Sequence, residues 1–130
     1  MIVVDSSVWV DHFRGIPTPK REVLEQLLRA GSDIAITDVI NMELLRGVKT
    51  DADVDALRSL LLQTQILQMR SLAGFELAAD LFRRVRRDGH TVRQSTDCMI
   101  AATCIAEDVP LLHDDVDFDL IARVSTLRVM

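Results

Sequence analysis

The chain is expected to fold as an α/β protein three layers deep, with helices on both faces of a central, mainly parallel sheet. Two features predict this. Short apolar runs alternate with stretches of helical periodicity along the whole sequence. Acidic residues also directly follow some of those runs, where an open parallel sheet presents its ligand-binding edge.

Ile2 to Val4 is the first apolar run, followed by Ser6 and Ser7 as possible helix caps and a helix to about Arg14. Gly15 to Pro19 is a loop, and Val23, Leu24, Leu27 and Leu28 form the stripe of the next helix, stopped by Gly31. Ile34 to Ile36 is the second strand. Thr37 or Asp38 caps a helix that runs to Gly47. Asp51 to Asp55 opens another, with Val54, Leu57, Leu60 and Leu61 expected to point inward. Gln65 to Gln68 reads as a short edge strand, and Leu72, Phe75, Phe82 and Val85 mark a long amphipathic helix ending at Asp88-Gly89. Ser95 starts a helix that buries Ile100, Ala101, Cys104 and Ile105. Pro110 to Leu112 is a strand, since proline suits a strand's first position. Phe118 to Arg123 is a short helix, and Leu127 to Val129 a last strand.

At 130 residues, the chain 1–130 reads as a single domain able to bury one sizeable core. With 48% hydrophobic and 27% charged residues it is globular rather than disordered. No stretch approaches the roughly 18 unbroken apolar residues of a membrane span. MIVVDSSVWV has no basic residue ahead of its apolar stretch, and Asp5 interrupts it, so it does not read as a signal peptide and the expected location is the cytoplasm. Cys98 and Cys104 would lie about 9 Å apart along one helix, too far for a disulfide. Nor do they match a zinc spacing.

The net charge of −5 argues against a general nucleic-acid binder. Its distribution says more. Arg83, Arg84, Arg86, Arg87 and Arg93 are clustered, and the acids fall at suggestive places. Asp5 follows the first strand; Asp114, Asp115 and Asp117 follow the Leu111-Leu112 run. Glu43 sits beside an apolar helical row, costly for a carboxylate without a partner. Asp97 lies in the first turn of its helix, one turn before Ile100 and Ala101.

Each acid alone has a structural use: Asp5 and Asp117 as N-caps, Asp97 as a dipole partner, Glu43 as a partner of Arg46. As a set converging on one crevice they would repel one another, which implies a divalent cation. Oxygen-only ligands indicate a hard ion, Mg²⁺ or Mn²⁺, rather than zinc. Such an ion activates water and neutralises charge on a phosphoryl oxygen. The three histidines, His12, His90 and His113, are scattered and form no nucleophile–base constellation. A phosphoryl-accepting signalling domain would need a lysine at a strand end, and Lys20 and Lys49 are not so placed. A non-catalytic binding module is the remaining alternative, and the full set of acids speaks against it.

Four segments in order resemble a known family: the strand ending in Asp5-Ser6-Ser7, Met42-Glu43-Leu44-Leu45-Arg46-Gly47, Thr91-Val92-Arg93 with Ser95-Thr96-Asp97-Cys98, and Leu112-His113-Asp114-Asp115-Val116-Asp117-Phe118. Together they are similar to the PIN-domain nucleases, and more narrowly to the VapC toxins of bacterial type II toxin–antitoxin systems. The resemblance covers essentially the whole chain and implies a PIN-like three-layer fold.

It also implies a set of roles. The family's first three acids fall on Asp5, Glu43 and Asp97, and the fourth in Asp115-Val116-Asp117, where both acids are candidates. Asp5, Glu43, Asp97 and Asp115 are thereby implied as catalytic, and Asp5, Asp97, Asp115 and Asp117 as metal ligands. Ser6 is implied to position water or phosphate, and Arg93 to contact substrate or the crevice acids. Asp114 stands where family members vary and is left out. The implied activity is Mg²⁺- or Mn²⁺-dependent cleavage of structured RNA, tRNA or ribosomal RNA, which stops translation. The implied partners are a second copy of the chain and a VapB-type antitoxin.

Overall fold

The computed structural model describes residues 1–130. Its elements run β1 (Ile2–Val4), α1 (Ser6–Arg14), α2 (Pro19–Arg29), β2 (Ile34–Thr37), α3 (Asp38–Arg46), α4 (Asp51–Leu61), β3 (Gln65–Leu67), α5 (Ser71–Arg87), α6 (Ser95–Glu107), β4 (Leu111–Leu112) and α7 (Val116–Arg123). The four strands form one sheet in the order β3-β2-β1-β4, and every pairing is parallel. Every residue of β1, β2 and β4 is buried, as expected of parallel strands covered on both faces. Helices α1 and α2 pack together, as do α5, α6 and α7, while α3 touches both α1 and α6. No helix is long and apolar enough to cross a membrane.

The core is one cluster of 27 buried apolar residues centred on β1, β2, β4 and α6. Helix α6 is nearly all buried from Asp97 to Cys104 because it packs against α5, α7 and α3. Local signals set most boundaries. Thr18, Thr37 and Thr50 each accept a backbone N–H as N-caps of α2, α3 and α4. Gly15 ends α1 at φ 69°, a left-handed conformation that favours a residue without Cβ. Thr37 is the cap of α3, and Asp38 instead accepts the N–H of Met69, tying α3 to the end of β3.

The structure departs from the sequence reading at several points, the smallest being that Pro110 lies just outside β4. Leu127–Val129 is no strand: it contributes a single parallel bridge, Leu111 to Val129. Helix α7 starts at Val116, two residues early, because Asp115 caps it by accepting the N–H of Asp117. The leucine stripes are only partly core. Leu24 and Leu61 are buried, but Leu28 and Leu60 stand exposed and line a common groove with Trp9. On α5, Leu72 and Phe75 are likewise exposed, while Ala78, Leu81 and Val85 carry the buried face.

Candidate metal centre

Because β1, β2 and β4 run parallel, their carboxyl ends meet at one edge of the sheet, where the chain turns into α1, α3 and the loop before α7. Asp5 leaves β1 there, Glu43 projects from α3, Asp97 comes from the first turn of α6, and Asp115 and Asp117 come from the start of α7. These five acids, Ser6 and Arg93 all line one open cavity of about 480 Å³. Thus every catalytic, metal-binding or substrate-binding candidate from the sequence is brought to a single crevice. Asp114 lines it too.

Asp97, Asp115 and Asp117 are the tightest group: one carboxylate oxygen of each lies within 4.8 Å of the others. Arg93 braces the outer pair. Its backbone N–H and its Nε each donate to Asp117 Oδ2 at 3.1 Å, and its Nη2 donates to Asp115 Oδ1 at 2.8 Å. The two carboxylates in turn raise the pKa of the guanidinium, the Asp117 hydrogen bond most strongly. Across the crevice Ser6 Oγ donates to Glu43 Oε1 at 3.3 Å, and Arg46 stands 3.8 Å from the other oxygen of Glu43.

Asp5 caps α1 and is also buried, with 4% of its surface exposed. Its Oδ2 accepts from the backbone N–H of Ser7 at 3.0 Å and from Ser7 Oγ at 2.6 Å. Its Oδ1 is buried with no hydrogen-bond partner. An unpartnered oxygen on a buried carboxylate is costly and calls for a cation or a proton.

The electrostatics record the same strain. Burial, more than any neighbour, pushes the Asp5 carboxyl up, against the Ser7 hydrogen bonds. Glu43 is raised by burial and then by the charge of Asp5. Asp97 is pushed up to about 7, first by burial and then by Asp115, Asp5, Glu43 and Asp117. A group of acids that oppose one another's ionisation is a site that divalent charge would relieve. The donor set is all oxygen, so the residues fit a hard ion such as Mg²⁺ or Mn²⁺.

Two residues that hold the loops of the crevice, Ser7 and His113, carried no site role in the sequence reading. Besides binding Asp5, Ser7 Oγ accepts the N–H of Asp114 at 3.1 Å, joining the end of β1 to the loop after β4. His113, 3% exposed, accepts the N–H of Asp115 on Nδ1 at 3.1 Å, which leaves the ring proton on Nε2, 3.3 Å from Asp119 Oδ1. Burial lowers its pKa, so it holds this loop as a neutral ring. The available signals were slight: a serine two places after a candidate acid, and a histidine between a strand and the acids. The arginine run of α5 proved mostly separate from the crevice. Arg84 pairs with Asp80 at 2.7 Å and Arg86 lies over the Phe82 ring; of the five arginines only Arg93 lines the site. Cys98 and Cys104 are buried and unpaired, with thiols pushed up by burial to about 11 and about 12.

A parallel α/β/α sheet with acids from four elements at its carboxyl edge defines a class of nuclease-like domain. Comparison with known proteins makes the class specific. The PIN domain matches residues 2–124. The chain is 36% identical over 129 residues to ribonuclease VapC11 of Mycobacterium tuberculosis, covering 98% of this chain and 96% of that protein. It is 32% identical over 118 residues to ribonuclease VapC19 of the same species, covering 89% and 90%. Among solved structures, VapBC2 from Rickettsia felis, bound to a DNA fragment from its promoter, superposes with a TM-score of 0.76 at 21% identity, covering 100% and 98%. The chain belongs to the PIN-domain family, in its VapC ribonuclease branch.

Proposed function

We propose that this chain, acting as one nuclease domain over residues 1–130, is a Mg²⁺- or Mn²⁺-dependent endoribonuclease toxin. It cleaves structured cellular RNA, tRNA or ribosomal RNA, in the cytoplasm and so inhibits translation. The observation that carries this is the meeting of Asp5, Glu43, Asp97, Asp115 and Asp117 around one open cavity, with Asp5 Oδ1 buried and unpartnered. The VapC relatives named above are ribonucleases, which supports RNA as the substrate.

In this reading Asp5, Asp97, Asp115 and Asp117 hold the ion, and Asp5, Glu43, Asp97 and Asp115 carry catalysis. A divalent ion held by such acids neutralises charge on a phosphoryl oxygen and lowers the pKa of water. Glu43, raised by burial and by Asp5, takes a proton more readily than an ordinary glutamate and faces the same cavity. It is the group best suited to accept the proton of the attacking water. Ser6, fixed by its bond to Glu43, presents its hydroxyl to water or phosphate, and the exposed part of Arg93 meets the substrate backbone. The acids alone would repel RNA, so binding depends on the ion as well as on these two side chains.

A cognate VapB-type antitoxin is the proposed inhibitor, and the active form is a homodimer. The solved structure from Rickettsia felis is itself a VapBC assembly on promoter DNA, which supports a protein partner of this kind. The deciding experiment is sequencing of RNA ends after brief expression of the chain alone, with Asp97→Asn as the control. New RNA ends with the native chain and none with the variant are expected. Equal, Mg²⁺-dependent cleavage by the variant would remove the assignment, and no cleavage by either would favour a binding module.

A further inference from the structure

We infer that Arg93 is a positioning residue for the metal centre: a clamp that takes one oxygen of each outer acid and turns the other toward the ion. The division of the two carboxylates carries this. Asp117 Oδ2 is occupied by two donors of the same residue, the backbone N–H and Nε of Arg93. Asp115 Oδ1 is occupied by Arg93 Nη2 and by the N–H of Asp117. Neither Asp115 Oδ2 nor Asp117 Oδ1 has a bond to the protein. A planar guanidinium suits this task because its donors are held in a fixed fork, so two carboxylates bound to it are held at a fixed angle to each other.

The same cation also has a simpler possible effect, competition with the metal for negative charge. The geometry separates the two. Arg93 is 68% exposed on its side chain, so its charge is largely screened by water, whereas Asp117 is 4% exposed and its rotamer is set by the bonds it makes. Outer partners that orient metal ligands typically contribute ten- to a hundredfold in metal affinity, which is about the size expected here. No other cationic side chain lies within 4.0 Å of Asp115 or Asp117, so without the Arg93 side chain only one backbone N–H holds each of the two acids.

This inference rests on the metal-centre reading above, and one titration tests both separately. Mn²⁺ alone is added to the full chain free of any partner, and binding is followed by electron paramagnetic resonance. Arg93→Gln is expected to weaken Mn²⁺ binding by about tenfold or more. Arg93→Lys, which keeps the charge but not the fork, should fall between the glutamine variant and the native chain. Unchanged or tighter binding by Arg93→Gln overturns the clamp, since removal of a mere competitor strengthens binding. If the glutamine variant does not fold, the lysine variant decides: native affinity there overturns the clamp, and weakening of several-fold supports it. Native chain that takes up no Mn²⁺ overturns the metal centre and the clamp with it. Native chain that binds, with Asp97→Asn that does not, leaves the metal centre standing, and the Arg93 variants then bear on the clamp alone.

Discussion

The acidic crevice has two halves built on different principles. On the inner side Asp5 and Glu43 are hydrogen-bonded by the hydroxyls of Ser7 and Ser6, Arg46 approaches Glu43 only to 3.8 Å, and one oxygen of Asp5 has no partner at all. On the outer side Asp115 and Asp117 are braced by a full positive charge, Arg93, while Asp97 stands between the two halves and is repelled by both. Hydroxyls hold a carboxylate through single bonds; a guanidinium holds two carboxylates at once in a fixed fork. The inner half therefore keeps its demand for a cation, and the outer half keeps its geometry without one. A divalent ion seated between them would satisfy the first and use the second.

The sharpest way to break this comparison is to remove one acid of the inner half and the acid between the halves. Asp5→Ala and Asp97→Asn should each lower RNA cleavage about a thousandfold, matching the several kcal/mol that metal charge supplies in the transition state. Circular dichroism should show both variants folded. Substantial cleavage by either one would mean that the halves do not act as a single centre.

Metal and proton should also compete. Mg²⁺ at about a hundred times its dissociation constant stabilises a folded protein by about 2.7 kcal/mol. The gain in melting temperature should be larger at pH 8 than at pH 5.5, because Asp97, raised to about 7, is protonated at the lower pH. A metal-induced shift independent of pH would argue that Asp97 is not a ligand.

The third expectation concerns the chain without metal. The folded-state pKa of Asp97 lies above its ordinary value of 3.8, so the fold disfavours the ionised form. The destabilisation is absent below about 4, grows as pH rises, and is complete above about 7. Asp5 and Glu43 are raised too and act in the same direction. In chelator, Asp97→Asn should therefore gain stability over the native chain as pH rises from 5 to 8, by at most about 1.4 kcal/mol per pH unit for one proton. Urea midpoints that stay parallel across this window would contradict it.

The smallest effects come from the hydroxyls. Ser7→Ala should cost about 1 kcal/mol, because it removes a short bond to a buried carboxylate and the tie to Asp114. Ser6→Ala, losing a longer bond in a half-open position, should cost about half as much. Equal losses in chemical denaturation would mean that Ser7 has no special place in the inner half.

Much of this was legible in the sequence, for reasons that can be named. The runs Ile2-Val3-Val4 and Ile34-Ala35-Ile36 read as buried parallel strands because no polar residue interrupts them, and an acid after such a strand falls at the ligand edge by topology alone. The leucines of α2 and α4 show where periodicity stops being informative. A stripe says that one face of a helix is apolar, but Leu24 and Leu61 met the core while Leu28 and Leu60 met a groove. The Leu127–Val129 run had strand composition, but only Val129 found a partner, Leu111.

The sequence by itself determined the element order as far as α7, the parallel sheet and which carboxylates were candidates, because these depend on local patterns of apolar and polar residues. Only the tertiary structure decided that acids as far apart as Asp5 and Asp117 share a cavity, that Ser7 and His113 hold the loops beneath them, and that Arg93 binds two acids at once. Those facts are distances between residues remote along the chain. Such distances are set by how helices pack on the sheet, which no local pattern encodes.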